Sequence, residues 1–179
     1  MVQLGFAILL PDEIHNAVRH WQLRIADACG RNPALKQYPH ITLKQPFHAK
    51  ELPPVEAYFD ELVGSVQPMT IQMNGVGRFK GDEVVFLDVS PPPEVEALRL
   101  EVLGELKRRF GVKPRDVEGK AYRFHATLAY TLPEGTFDAA WAVVADANPR
   151  FQFTAEALGL FYYTGEEWIL YKRANLRHG

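Results

Sequence analysis

The distribution of apolar positions in the first half of the chain predicts alternating strands and helices. Residues 2–10 form an almost unbroken apolar run of strand length, which indicates a buried strand. Residues 12–29, between Pro11 and Gly30, carry an apolar side chain every three or four positions, as expected of an amphipathic helix. The predicted apolar face of this helix comprises Ile14, Val18, Trp21, Ile25 and Ala28. Beyond a loop at residues 31–33, the predicted elements are a strand from His40, a helix over 53–63, and strands over 69–76 and 84–90 joined by a turn through Gly77 and Gly81.

The second half of the chain repeats this order of elements. Three prolines at positions 91–93 interrupt the preceding strand and introduce a helix over 94–110, whose apolar face comprises Val95, Leu98, Val102, Leu103 and Leu106. A flexible stretch is predicted over 111–120, before a second strand that contains His125. A short helix over 137–145 and a hairpin of strands 151–163 and 168–176 follow. The repeated order of strands and helices indicates an internal duplication. The crossover between the two lobes is predicted near residues 90–94.

Two short segments with the same chemistry occupy equivalent places in these halves. They are His40-Ile41-Thr42-Leu43 and His125-Ala126-Thr127-Leu128, with their histidines 85 positions apart (125 − 40). Alternate side chains of a strand point to opposite faces, so each His shares a face with the Thr two positions on. An imidazole can hold or release a proton near neutral pH, and a Thr hydroxyl can donate a hydrogen bond to a phosphate oxygen. One such segment is more often structural, but the matched pair favours acid–base chemistry on a phosphodiester.

Composition and charge narrow the function class. The net charge of −2 argues against broad, nonspecific binding of nucleic acid, without excluding a small basic cleft. Cys29 is the only cysteine, which excludes an internal disulfide and a cysteine-based zinc site. No signal peptide or membrane-spanning segment is recognised, and a cytoplasmic enzyme is expected. The chain has no G-x-S-x-G elbow and no Walker loop, and His40, His48 and His125 lack the helical spacing of zinc ligands.

The chain resembles the 2H phosphoesterase superfamily, close to its bacterial 2′-5′ RNA ligase and cyclic phosphodiesterase branch. The resemblance lies in the paired segments and in the opening strand, Val2-Gln3-Leu4-Gly5-Phe6-Ala7-Ile8-Leu9-Leu10-Pro11. It covers nearly the whole chain and implies one α+β domain over residues 1–179, with two pseudo-symmetric lobes, two antiparallel sheets around a central cleft, and helices outside. It also implies action without metal or cofactor, with His40 and His125 as the acid–base pair and Thr42 and Thr127 binding the phosphate.

One position departs from the family pattern. The bacterial branch typically has an arginine two residues after the second motif, where this chain has Tyr130. Lys44, which alternation places on the face of His40 and Thr42, is a candidate substitute for the missing cation, although a solvated lysine explains it equally well. Aromatic residues that could stack a base are Phe47, Tyr122, Phe124 and Tyr130. Further candidate phosphate contacts are Arg78, Arg115, Lys120 and Arg123.

Two function classes remain open from the sequence. The first is an enzyme of RNA processing that hydrolyses 2′,3′-cyclic phosphates, or reversibly cleaves and joins 2′-5′ RNA linkages. The second is a nonenzymatic module that binds a nucleotide or an RNA end, with the histidines donating hydrogen bonds to its phosphate. Either is expected to act as a monomer, without an obligate protein partner or a membrane. The sequence leaves open which histidine is the acid and which the base.

Overall fold

The structure, a computed structural model, describes residues 1–177 as eight strands, four α-helices and two short 3-10 turns. The strands are β1 (Val2–Leu9), β2 (His40–Ala49), β3 (Met69–Phe79), β4 (Val84–Ser90), β5 (His125–Ala129), β6 (Arg150–Ala155), β7 (Ala157–Tyr163) and β8 (Trp168–Asn175). The helices are α1 (Asp12–Cys29), α2 (Pro53–Ser65), α3 (Pro93–Phe110) and α4 (Phe137–Val144), and the 3-10 turns are Pro33–Lys36 and Asp116–Glu118. The strands and helices predicted before residue 150 all form, close to their expected bounds.

The strands form one continuous antiparallel sheet in the order β6-β3-β4-β5-β2-β1-β7-β8. The α+β architecture is therefore as expected, whereas the two expected sheets are in fact joined into one. The junction lies where β2 meets β5, through a single register pair, Ile41 opposite Ala126. This narrow seam brings the two His-x-Thr segments onto neighbouring strands.

Each half of the sheet combines a motif strand with the hairpin from the other half of the sequence. β5 pairs with β4 of the first hairpin, and β2 pairs with β1, which in turn pairs with β7 of the second hairpin. The predicted crossover near residues 90–94 does not separate the strands of the two halves: within the sheet, the chain passes from one half to the other through α2 and again at Glu156. The expected strand 151–163 is two strands, because β6 pairs with β3 and β7 pairs with β1.

Helices α1 and α3 each pack against the motif strand of the opposite half. α1 follows β1 but contacts β5, and α3 precedes β5 but contacts β2. The predicted apolar face of α3 is buried throughout, whereas in α1 Trp21 is only half-buried, Ala28 is exposed, and Gln22 and Cys29 are buried. Gln22 faces inward because its side-chain amide donates to the Thr127 carbonyl oxygen at 3.1 Å. The helices thus hold the two motif strands against each other.

Gly77 lies within β3, directly opposite Phe86 of β4, and not in the turn where it was expected. A Cβ at this position would overlap the Phe86 ring. That ring is fully buried and lies against the His125 imidazole, with 5.2 Å between ring centroids, so it has little room to move. Gly81 is in the turn itself, and nothing lies within 4 Å of its Cβ position.

Replacing Gly77 by alanine should lower the free energy of unfolding by about 1–3 kcal/mol, the usual effect of overpacking a core. Urea denaturation followed by tryptophan fluorescence measures this change. Gly81→Ala is the matched control, and its effect should stay within about 0.5 kcal/mol. Equal unfolding midpoints for the two variants would show that the Phe86 ring moves aside freely, contrary to this prediction.

Candidate active site

Both His-x-Thr segments open onto one cleft of about 950 Å³ at the seam of the sheet. The motif residues that line it are His40, Thr42, His125 and Thr127. The residues that alternate with them are buried in the core, namely Ile41, Leu43, Ala126 and Leu128. The predicted division of each strand into a polar and an apolar face is therefore confirmed, and the two polar faces share one cleft.

The same kind of backbone hydrogen bond holds the two imidazoles. His40 Nδ1 donates to the Tyr38 carbonyl oxygen at 2.7 Å, and His125 Nδ1 donates to the Arg123 carbonyl oxygen at 2.8 Å. In both cases the acceptor lies two residues upstream. Because a carbonyl oxygen only accepts, each Nδ1 carries the proton, and Nε2 is the unprotonated nitrogen of the neutral ring. Each histidine thus keeps one basic nitrogen for a substrate proton.

Aromatic rings fix the orientation of each imidazole. His40 packs against Phe161 of β7, with 4.6 Å between ring centroids. His125 packs against Phe79 and Phe86, at 5.3 and 5.2 Å. Each motif histidine therefore rests on aromatic side chains of a neighbouring hairpin, which restricts the orientations that its ring can adopt.

Burial lowers the pKa of both histidines. The pKa of His40 falls to about 4, because its ring is desolvated and His125 repels its charged form, while the hydrogen bond to Tyr38 only partly opposes this. Burial also lowers the pKa of His125, and the positive charge of Arg123 lowers it further, against the opposing influence of the hydrogen bond to the Arg123 carbonyl oxygen and of the Asp88 carboxylate. Both rings are therefore neutral at pH 7 in the unliganded protein. A bound phosphodiester anion would raise both pKa values.

We expect NMR titration of the free protein to give a pKa below 6.5 for both histidines, with that of His40 near 4. Inorganic phosphate bound in the cleft should raise at least one of these pKa values, since an opposite charge within about 4–6 Å favours the protonated form. The ring signals are assigned by comparison with His40→Ala and His125→Ala variants. A pKa above 6.5 for either ring in the free protein would contradict burial as the dominant influence.

Side chains from other elements hold the backbone of both motif strands. The Tyr122 hydroxyl donates to the Thr42 carbonyl oxygen at 2.8 Å. On the second motif strand, Asn32 Nδ2 donates to the Leu128 carbonyl oxygen at the same distance, 2.8 Å. These bonds satisfy carbonyl groups near the seam, where β2 and β5 share a single register pair. The backbone that carries the motif side chains is therefore fixed from both sides.

Tyr130, which stands where the family that the chain resembles typically has an arginine, lines the cleft and carries no charge. Its hydroxyl accepts a hydrogen bond from Gln37 Nε2 at 2.8 Å. Arg19 in turn donates to the carbonyl oxygens of Leu35 and Gln37, at 2.8 and 2.6 Å, which fixes the segment before His40. Tyr130 therefore links the end of β5 to the segment that precedes β2.

Lys44, the predicted substitute for that cation, is paired with a carboxylate below the surface of the cleft. Its side chain is 1% exposed, and Nζ lies 2.7 Å from Oε2 of Glu118, whose side chain is also 1% exposed. Burial lowers the pKa of Lys44, and Glu118 opposes that shift. Glu118 also accepts from the backbone N–H groups of Gln45 and Arg115, each at 2.7 Å. Glu118 lies in the stretch predicted to be flexible, where no local pattern indicates a buried carboxylate.

The aromatic residues of the cleft differ from those predicted. Tyr122 and Tyr130 line it, but Phe47 and Phe124 are buried in the core, so their predicted role in base stacking is wrong. Aromatic side chains that were not predicted also line the cleft, namely Phe6, Phe79, Phe161 and Trp168. Phe161 lies in an apolar strand that resembles the core strands in sequence, so only the pairing of β7 with β1 reveals its position.

The predicted phosphate contacts that do line the cleft are Arg115, Lys120 and Arg123. Arg123 makes a two-point contact with Asp88, at 2.9 and 2.8 Å. Arg78 lies outside the cleft and pairs with Asp138 at 3.3 Å. Its predicted role as a phosphate contact is therefore wrong.

No group of three His, Cys, Asp or Glu side chains within residues 1–177 is arranged to hold a metal ion. Of the histidines considered as zinc ligands, His48 is exposed and lies outside the cleft that contains His40 and His125. In the same part of the chain, none of the helices is long and apolar enough to cross a membrane.

Comparison with known proteins gives one family and several structural neighbours. A family model described as the 2′-5′ RNA ligase superfamily matches residues 10–167. Among solved structures, the chain is similar to a crystallised phosphoesterase, with a TM-score of 0.68, 21% identity and 99% of both chains covered. It is also similar to LigT of E. coli in complex with 3′-AMP (TM-score 0.65, 22% identity, 99% of both chains). A third neighbour is a protein of Thermus thermophilus, TT0787 (TM-score 0.63, 17% identity, 98% of both chains).

No curated protein sequence matches the chain significantly. The structural neighbours are distant in sequence and support the fold, whereas the family match covers most of the chain and includes both motifs. The superfamily generally consists of phosphoesterases and ligases. The chain belongs to the 2′-5′ RNA ligase superfamily of 2H phosphoesterases, as its paired His-x-Thr segments predicted.

Proposed function

We propose that this protein is a metal-independent phosphodiesterase that opens 2′,3′-cyclic phosphates with His40 and His125 as its acid–base pair. The observation that carries this proposal is the matched pair of imidazoles in one cleft, each with Nδ1 donating to a backbone carbonyl. Both keep Nε2 as the reactive nitrogen. Opening a cyclic phosphate needs one group that takes a proton from water and another that gives a proton to the leaving ribose oxygen.

In this mechanism His40 is the base and His125 is the acid for hydrolysis. Burial keeps the pKa of His40 at about 4, so its Nε2 is unprotonated and accepts a proton from the attacking water. The hydrogen bond to the Arg123 carbonyl oxygen favours the protonated form of His125, whereas burial and the charge of Arg123 oppose it. A bound phosphate anion would shift His125 toward the protonated form that the acid needs. The water oxygen bonds to phosphorus as the bond from phosphorus to one ribose oxygen breaks. His125 gives its Nε2 proton to that oxygen, and the product is a phosphate monoester.

Thr42 and Thr127 then hold the nonbridging phosphate oxygens. Each hydroxyl has one proton to donate and lies on the cleft face of the same strand as its histidine. The Thr42 carbonyl is tied to Tyr122, and the Thr127 carbonyl is tied to Gln22, so the backbone at both positions is held in place. Donors fixed in this way stabilise the charge that develops on the phosphate oxygens in the transition state.

The same groups can act on a 2′-5′ linkage. In joining, a 5′-hydroxyl takes the place of water as the nucleophile toward the cyclic phosphate, and in cleavage of the linkage the two histidines exchange roles. LigT of E. coli has been crystallised with 3′-AMP and with phosphate, which supports a nucleotide phosphate as the ligand. The aromatic rings along the cleft offer faces on which a base could stack.

The test is a panel of nucleoside 2′,3′-cyclic phosphates and 2′-5′ dinucleotides, incubated with purified protein in the presence of EDTA. Phosphorus NMR separates the cyclic ester from the two possible monoesters. We expect at least one cyclic phosphate to be converted to a single monoester. Saturable binding without turnover at any pH from acid to alkaline would favour a nucleotide-binding module and reject the catalytic proposal.

A further inference from the structure

The positively charged side chains that line the cleft fall into two groups. Lys44 and Arg123 are already paired with carboxylates. Arg115 and Lys120 are exposed, and neither forms an ion pair with the residues that the structure describes. Both belong to residues 115–121, called here the cleft loop, most of which lines the cleft. The free positive charge of the site is therefore on this loop.

Buried bonds fix the cleft loop relative to the strand that carries His40. Glu118, within the loop, is buried and pairs with Lys44 of β2 at 2.7 Å. Arg99 of α3, 1% exposed, donates to the Glu118 carbonyl oxygen at 2.9 Å. The same guanidinium lies 4.5 Å from the centre of the Tyr122 ring, just after the loop. These contacts hold the backbone of the cleft loop, which carries Arg115 and Lys120, against the cleft.

We propose that Arg115 and Lys120 form a second anion site, which binds a phosphate group other than the one that reacts. This inference rests on the proposed function, in which the reacting phosphate lies between His40 and His125. The cleft of about 950 Å³ is at the upper end of the range for small-molecule sites, so it has room beyond one nucleotide. The ligand that fits is an oligonucleotide whose terminal cyclic phosphate reacts while an internal phosphodiester binds the cleft loop.

Two carboxylates also line the cleft, Asp82 and Asp116. Asp116 follows Arg115 directly on the cleft loop, so its negative charge weakens the second anion site. Removing that charge should strengthen the binding of an internal phosphodiester, whereas removing either cation should weaken it. A general loss of loop structure would weaken binding in every variant, so it would not give opposite effects at Arg115 and Asp116.

The test compares kcat/KM for a nucleoside 2′,3′-cyclic phosphate with kcat/KM for a trinucleotide that ends in the same cyclic phosphate. The wild type should prefer the trinucleotide. In Arg115→Ser and Lys120→Ser, kcat/KM for the trinucleotide should fall about 10-fold further than for the mononucleotide, the effect of losing one charge-assisted hydrogen bond. Asp116→Asn should increase the preference. Lys113→Ser is the matched control, because Lys113 is exposed on the same connection but does not line the cleft.

Calorimetric binding of the corresponding 3′-monophosphates separates this inference from the proposed function. If neither cyclic phosphate is turned over, tighter binding of the trinucleotide that is lost in Arg115→Ser and Lys120→Ser still supports the second anion site. Equal affinity of the wild type for both lengths would overturn it. An equal loss of the trinucleotide preference in Lys113→Ser would also overturn it, because a general effect of positive charge would then explain the result.

Discussion

Replacing either His40 or His125 by alanine should lower kcat for the hydrolysis of a 2′,3′-cyclic phosphate by about 10²–10⁴, the usual contribution of one positioned proton transfer. Both variants should fold, because each ring lines the cleft and neither histidine belongs to the hydrophobic core. The double variant should be little slower than either single variant, since groups that act in one step are strongly non-additive. Initial rates of monoester formation under saturating substrate measure these effects.

His48 provides the matched control for the histidine variants. It lies on the same strand as His40, but it is exposed and outside the cleft. His48→Ala should therefore retain the wild-type rate. Full turnover by His40→Ala or by His125→Ala would refute the acid–base pairing.

Replacing Glu118 by alanine should lower the free energy of unfolding by about 3–5 kcal/mol, the effect of leaving a buried charge without its partner. Lys44 would remain buried with no carboxylate, and the N–H groups of Gln45 and Arg115 would lose their acceptor. Equilibrium unfolding in urea measures this loss. Turnover should fall as well, because the same carboxylate ties the cleft loop to the strand that carries His40 and Thr42.

The pH dependence of this variant separates the loss of the ion pair from a simple loss of packing. Without Glu118, burial lowers the pKa of Lys44 further below that of an unfolded lysine. The folded state then binds fewer protons than the unfolded state, so stability is lost as the pH falls and recovered as it rises toward about 10.4. The deficit relative to wild type should therefore shrink as the pH is raised above neutral.

A matched control comes from an exposed ion pair, Lys36 with Glu167, whose side chains are 66% and 45% exposed. Breaking it with Glu167→Ala should change the free energy of unfolding by no more than about 1 kcal/mol. A similar loss in Glu118→Ala and Glu167→Ala, or a deficit in Glu118→Ala that does not change with pH, would contradict the role of the buried pair.

Local periodicity explains what the sequence could predict. The strand and helix bounds follow from apolar residues that recur every two positions in strands and every three or four positions in helices. These periods depend only on neighbours along the chain. For the same reason the cleft face of each motif was predictable: His40 and Thr42 share it, while Ile41 and Leu43 are buried. The doubled motif also sufficed to indicate the superfamily.

Long-range pairing decides what the sequence could not predict. Nothing local in residues 151–163 shows that the chain leaves β3 and joins β1 at Glu156. Local sequence also does not show which single side chains face the cleft. Phe47 and Phe161 are both buried in strands, yet Phe161 lines the cleft and Phe47 does not. Lys44 looked like a surface cation because its partner is 74 positions away.

The pH dependence of kcat/KM for a 2′,3′-cyclic phosphate tests the central claim, that two histidines act as base and acid, most directly. This quantity reports the pKa values of the free enzyme. The wild type should give a bell-shaped profile with its acid limb near pH 4, from His40, and its alkaline limb below pH 6.5, from His125. His40→Ala should lose the acid limb, and His125→Ala should lose the alkaline limb. A flat wild-type profile, or both limbs intact in both variants, would contradict the mechanism.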